Sequence, residues 1–160
     1  MGKISPTSLR VLALLAVFAL TVAFFATQID NYLNARLFNR TSTSVAIIAL
    51  IAVGQAFVIL TRNIDLSVGS TVGCVAYLVG GLVAQFPDMQ PLLLVALAIG
   101  AGATLGAVNG VLVAFVGLPS IIVTLATLAI FRSILVQFSS GGSITTDRLP
   151  EWLTGFAQAN

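Results

Sequence analysis

Apolar residues run along this chain in five long stretches, separated by short polar clusters. The stretches cover roughly residues 9–28, 43–61, 67–85, 91–118 and 120–138. Each approaches the ~20 residues that a helix needs to cross the hydrocarbon core of a bilayer. The fourth is long enough to span with tilt, or to break at a glycine. Between them lie the breakers expected of connections: Asp30-Asn31, Asn39-Arg40-Thr41, Pro87-Asp88, Gly117-Leu118-Pro119 and Ser139-Ser140-Gly141-Gly142. Strands of a membrane barrel would alternate apolar and polar residues over about ten positions. Residues 45–53, Val-Ala-Ile-Ile-Ala-Leu-Ile-Ala-Val, do not alternate. The pattern therefore predicts an all-α membrane protein, a polytopic bundle of about five transmembrane helices in a single transmembrane domain, with residues 139–160 as an external segment.

Composition excludes the soluble alternative. Hydrophobic residues make up 58% of the chain and charged residues 8%, against about 25% charged in a soluble domain. So few charges cannot cover a water-facing surface, and the partner of most of the exterior is membrane lipid. Lys3 and Arg10 ahead of the first stretch resemble the start of a signal peptide. The apolar run is long for that role, however, and Ala23-Phe24-Phe25-Ala26 lacks the small-x-small cleavage pattern, so a retained helix is expected. With the amino terminus inside, Arg62 is also cytoplasmic, while Arg36, Arg40 and Arg148 fall outside. Three basic residues on each side set no bias, and the orientation rests on the amino-terminal pair.

Little chemistry is available to an enzyme. Histidine is absent and the only lysine is Lys3, so neither a Ser/His/Asp triad nor a Walker A loop can be built. The single cysteine, Cys74, cannot form an intrachain disulfide or a zinc cluster and is expected to pack as a small apolar residue. None of the five acids lies within an apolar stretch. No metal or cofactor site is indicated, and the scattered basic residues do not form a nucleic-acid footprint.

Small and polar residues inside the stretches carry more information. Gly102, Gly106 and Gly110 recur at four-residue spacing, which places them on one helical face where another backbone can approach. For these glycines alone, ordinary helix packing is preferred over a tightly packed bundle surrounding a pathway. Gly69 and Gly73 repeat the spacing in the third stretch. Asn109 carries an amide that is costly in lipid, so it should face the interior of the bundle. Between the second and third stretches, Arg62 and Asp65 are close enough to neutralise each other, and Asp65 or Ser67 can cap the following helix. A generic capped loop accounts for this segment, and a functional re-entrant turn is the alternative.

At this point the residues carry a resemblance. Residues 60–70, Leu-Thr-Arg-Asn-Ile-Asp-Leu-Ser-Val-Gly-Ser, resemble the signature of the membrane permeases of bacterial ribose-type ABC importers. Asn109-Gly110 and then residues 119–127, Pro-Ser-Ile-Ile-Val-Thr-Leu-Ala-Thr, are similar to a second block of that family. Phe131-Arg132 and Ser140-Gly141-Gly142 continue the likeness in order, which covers the chain from about residue 40 onward. The 60–65 variant looks closest to the subgroup that handles rhamnose or the furanose-like autoinducer. The resemblance implies a permease in the bacterial inner membrane that moves a monosaccharide or sugar-like solute. It also implies a cytoplasmic ABC ATPase subunit, a periplasmic sugar-binding protein, and a second permease copy or paralogue as partners. Asn109, Thr124 and Arg132 become candidates for the pathway, and Arg62, Asp65, Ser67 and Gly69 form the structural motif. Family members are longer, so the chain is expected to correspond to an amino-terminal half that lacks the segment docking on the ATPase. The rival readings are a small oligomeric channel or secondary carrier, or a structural membrane subunit. A carrier would place paired ionisable groups in its spans, and only Arg132 qualifies.

Overall fold

The computed structural model describes residues 6–158 of the chain. Five long helices follow one another: α1 (Pro6–Gln28), α2 (Ala35–Leu60), α3 (Val68–Gln85), α4 (Pro91–Ala114) and α5 (Ser120–Ser139). A 3-10 turn at Thr146–Arg148 and a short α6 (Glu151–Gln158) complete the described residues. All five long helices have the length and apolar composition to cross a membrane. Leu14, Leu50, Leu60, Leu92 and Phe138 are each at least 70% exposed. These exposed faces match lipid. The protein is an all-α, multi-pass membrane protein.

Two compact units divide the chain, one running through Ile48 and the other from Ala49 onward. In the first, the start of α2 differs from the hydrophobic pattern, because Asn39-Arg40-Thr41 lies inside the helix rather than before it. The reason is a cap. Asn34 Oδ1 accepts the Leu37 amide at 2.8 Å, which starts the helix at Ala35. Thr43 and Ser44 then donate their hydroxyls to the Asn39 and Arg40 carbonyls within the helix, at 3.0 Å each. At 26 residues, α2 is ~39 Å long and exceeds a ~30 Å hydrocarbon core, which leaves its polar first turns at the interface.

In the second unit α3 packs on α4 and α5, and α4 packs on α5. Val83, Leu94, Val123 and Phe131 are buried at these contacts. The Cys74 thiol donates to the Phe131 carbonyl at 3.2 Å, joining α3 to α5. A Cβ on Gly73 would lie 3.1 Å from Leu135 Cδ2, so the closest glycine-mediated approach between these helices is on α3. The chain after α5 folds back over the end of α3. Ile144 Cδ1 would be 3.2 Å from a Cβ on Gly80, and the Trp152 indole donates to the Pro87 carbonyl at 3.3 Å.

In that returning segment, a hydrogen bond from the Thr145 side chain holds the exposed Asp147 carboxyl below its ordinary value of 3.8, helped by its own backbone and by Arg148. A carboxyl whose folded value is depressed stabilises the fold above its unfolded value and loses that contribution as pH falls through the folded one. The Arg148 and Leu149 amides, bonded to the Thr145 and Thr146 carbonyls, should therefore keep at neutral pH whatever part of their protection depends on the Asp147 carboxylate. They should lose it only below pH 3.8. Amide exchange corrected for intrinsic rates would report this. Loss of protection near neutral pH would contradict it.

Candidate functional site

Several polar residues of the second unit gather where α2 stops and α3 begins. The end of α2 follows the Schellman pattern: the Arg62 amide bonds the Ile59 carbonyl at 2.8 Å and the Asn63 amide bonds the Val58 carbonyl at 3.2 Å. Arg62 occupies the left-handed position usually taken by glycine, with φ of 60°. A side chain there costs ~1–2 kcal/mol. Arg62→Gly is accordingly expected to raise stability by up to ~1 kcal/mol in detergent unfolding. A loss of stability would mean that the guanidinium makes a contact outside this chain.

Residues 63–67 are irregular backbone, and irregular backbone at membrane depth persists only where its polar groups find protein partners. Here they do. Ser120 Oγ accepts the Ile64 amide at 3.3 Å, and the Thr124 hydroxyl lies 3.3 Å from the Ile64 carbonyl while donating to the Ser120 carbonyl at 2.8 Å. Gln55 of α2 donates its side-chain amide to the Asp65 carbonyl at 3.1 Å. Asp65 Oδ1 accepts both the Ser67 amide, at 2.8 Å, and the Ser67 hydroxyl, at 2.7 Å. Its carboxylate is thus committed to Ser67. Among the described residues it makes no ion pair with Arg62, which is exposed.

Ser67 has no exposure and leads on to Asn109, which is 7% exposed. Asn109 Nδ2 donates to Ser67 Oγ at 2.8 Å. The direction of this chain is forced by proton counting. A carboxylate has no proton to give, so the Ser67 hydroxyl must donate to Asp65, and its oxygen can only accept from Asn109. The amide nitrogen therefore faces Ser67. Asn109 Oδ1 is left buried with no partner among the described residues, a condition that costs ~1–3 kcal/mol.

A cavity of about 400 Å³ opens beside this relay. Asp65 and Asn63 of the irregular segment, Asn109 of α4, and Ser120 and Thr124 of α5 supply its polar wall. Val58, Val113 and Ala114 give it an apolar face. Gly106 and Gly110 also line it, and a Cβ on either would meet nothing within 4 Å. Gly102 lies apart, in ordinary contact with Val75 at 3.9 Å, and a Cβ on Gly69 would meet nothing. Among the described residues, none that is basic lines the cavity, and no group of three metal-ligating side chains is found.

Of the residues singled out from the sequence, Asp65, Ser67, Asn109, Thr124, Gly106 and Gly110 come together here. Arg132 does not. It is exposed on α5, eight residues beyond Thr124 and so ~12 Å further along the helix. Two contributors, Gln55 and Ser120, are not singled out by sequence reasoning. A lone amide in the apolar run of α2 is the signal that could have found Gln55.

Five apolar helices with a buried polar relay beside a cavity make a polytopic membrane protein. The chain belongs to the family described as branched-chain amino acid transport system / permease component, whose profile matches residues 37–158. It is 42% identical over 130 residues to the autoinducer 2 import system permease protein of Enterobacter sp. strain 638, covering 81% of this chain and 36% of that one. It is 39% identical over 129 residues to the protein of the same description from Salmonella typhi, covering 81% of this chain and 36% of that one. It is 36% identical over 152 residues to the xylose transport system permease protein of Haemophilus influenzae, covering 91% of this chain and 39% of that one. The chain spans under half the length of these relatives. No solved structure matches it.

Proposed function

We propose that the chain forms part of the translocation pathway of an ABC importer that carries a monosaccharide or sugar-like solute across the bacterial inner membrane. A separate cytoplasmic ABC ATPase supplies the energy, a periplasmic binding protein delivers the solute, and a second permease copy or paralogue completes the pathway. The observation that carries this reading is the polar-walled cavity beside the α2–α3 junction, to which residues of the family-like blocks contribute. The relatives named for autoinducer 2 and xylose point the same way.

The family description also raises a branched-chain amino acid as cargo. Its carboxylate would need a cationic or donor-rich partner, and among the described residues none that is basic lines the cavity. A secondary carrier would couple transport to ionisable groups in the membrane, yet the Asp65 carboxylate is engaged by Ser67.

Uptake of a panel of labelled pentoses, hexoses and L-leucine, in cells with and without the chain, tests the reading. Uptake of a sugar should depend on the chain, fail on ATP depletion and survive collapse of the membrane potential. Sensitivity to the potential alone would favour a carrier, and L-leucine as the sole cargo would overturn the sugar assignment.

Orientation is part of the proposal, with the amino terminus inside. In a Cys74→Ser background, cysteines introduced at Asp88 and Gly142 should react with an impermeant reagent from outside, and one at Asn63 should not. The reverse pattern would place the cavity on the external side.

A further inference from the structure

Helix α5 packs one face on α3 and α4 and leaves the other open. Val123, Thr124, Thr127 and Phe131 are buried, whereas Ala126, Ala129, Arg132, Ser133 and Gln137 are exposed. Arg132 lies ~18 Å from the Ser120 end of the helix and ~10 Å from the Ser139 end, at a rise of about 1.5 Å per residue. Its guanidinium makes no ion pair or hydrogen bond with the described residues, and neither do the Ser133 and Gln137 side chains. A charge at such depth is costly in hydrocarbon, and membrane helices pair it with an opposite charge or with carbonyls. Escape to the nearer end is opposed by the helix itself, because its side chains lean towards the N-terminus and so away from Ser139. Ala129 and Ser133, beside the arginine, have the four-residue spacing of small residues that lets a second helix come close.

We propose that this face of α5 is the docking surface for a transmembrane helix that lies outside residues 1–160 and carries a carboxylate opposite Arg132. A carboxylate neutralises the charge and accepts the guanidinium fork through two oxygens. The Ala129–Ser133 seam lets the partner backbone approach, and the Ser133 hydroxyl and Gln137 amide add donors beside it. Residues 1–160 cannot supply the carboxylate. Asp30, Asp65 and Asp88 fall between the long helices, and Asp147 and Glu151 follow them, so none of the five acids lies within α1–α5. A second copy of these residues fits no better. It brings the same acid-free helices, and a two-fold axis along the membrane normal would set the two copies of Arg132 at equal depth, like charge against like. The inference does not depend on which solute is carried.

The test measures no uptake, so it and the importer reading fail independently. It uses membranes of the native host containing the full chain, and dicyclohexylcarbodiimide, which modifies protonated carboxyls in apolar surroundings. Arg132→Leu strands the partner carboxylate, which then takes up a proton, so carbodiimide incorporation per chain should rise about tenfold or more. Peptide mapping should place it on an acid outside residues 1–160. Arg132→Lys keeps the charge and should stay near the parent in both membrane level and incorporation. Ala129→Leu pushes the partner helix away and should lower the membrane level about fivefold or more, whereas a leucine facing lipid would leave it unchanged. Arg132→Cys in a Cys74→Ser background should resist an impermeant cationic methanethiosulfonate. If Arg132→Leu does not accumulate, Arg132→Lys must recover the membrane level, and its failure to do so counts against the ion pair. Parental incorporation in Arg132→Leu, incorporation at Asp65 or another acid of residues 1–160, or a parental level of Ala129→Leu would each overturn the proposal. So would rapid modification of Arg132→Cys, by placing this face of α5 on a water-filled route.

Discussion

Replacing Asp65 by alanine is expected to cost the second unit about 1–3 kcal/mol, the price of stranding a buried donor. The carboxylate takes two protons from Ser67, one from its amide and one from its hydroxyl, and Ser67 has no exposure through which water could replace them. The hydroxyl has one escape. If the Asn109 amide turns over, its oxygen can accept from Ser67. The Ser67 amide has no such recourse and is left unpaired at the first turn of α3. Asp65→Asn retains an acceptor in the same place and should recover most of the loss. Asp88→Ala, in an exposed turn, should stay within about 0.5 kcal/mol of the parent. Denaturant unfolding in detergent, read by helicity, compares the three. Equal midpoints for Asp65→Ala and Asp88→Ala would show that the relay does not hold the junction together.

A second large effect separates glycines that look alike in sequence. Gly73→Leu should lower stability by about 1–3 kcal/mol, because a Cβ there already lies 3.1 Å from Leu135 and a leucine must displace α5. Gly106→Leu should be neutral or stabilising within this chain. Nothing lies within 4 Å of its Cβ, and leucine is the better helix former by roughly 0.8 kcal/mol. Its side chain would extend into the cavity instead. If Gly106→Leu lowers folded yield as much as Gly73→Leu does, another helix from outside the chain covers the stripe.

Several features were legible from residues alone because they depend on local chemistry. The five spans follow from runs of apolar residues, and the polar segment between α2 and α3 stands out for the same reason. The start of α2 was not legible, since Asn39-Arg40-Thr41 reads as a loop until the Asn34 cap upstream is seen to draw it into the helix. The glycine spacing on α4 showed that Gly102, Gly106 and Gly110 share a face, but spacing cannot say what that face meets. Asn109 could be expected to turn inward on the cost of its amide. Its partner Ser67 lies 42 residues away, a pairing that only the packing of α3 against α4 creates. Gln55 and Ser120 escaped notice because each is a single polar residue with a partner outside its own helix.

The central claim is that this cavity lies on the route of the imported solute. Its most direct test is ATP-dependent uptake by cells producing either the parent chain or Gly106→Leu at matched membrane abundance, with the labelled sugar that the parent takes up. Filling the cavity should reduce uptake to near background while abundance and folded yield are unchanged. Uptake by Gly106→Leu equal to that of the parent would contradict the account, because the solute would then pass elsewhere.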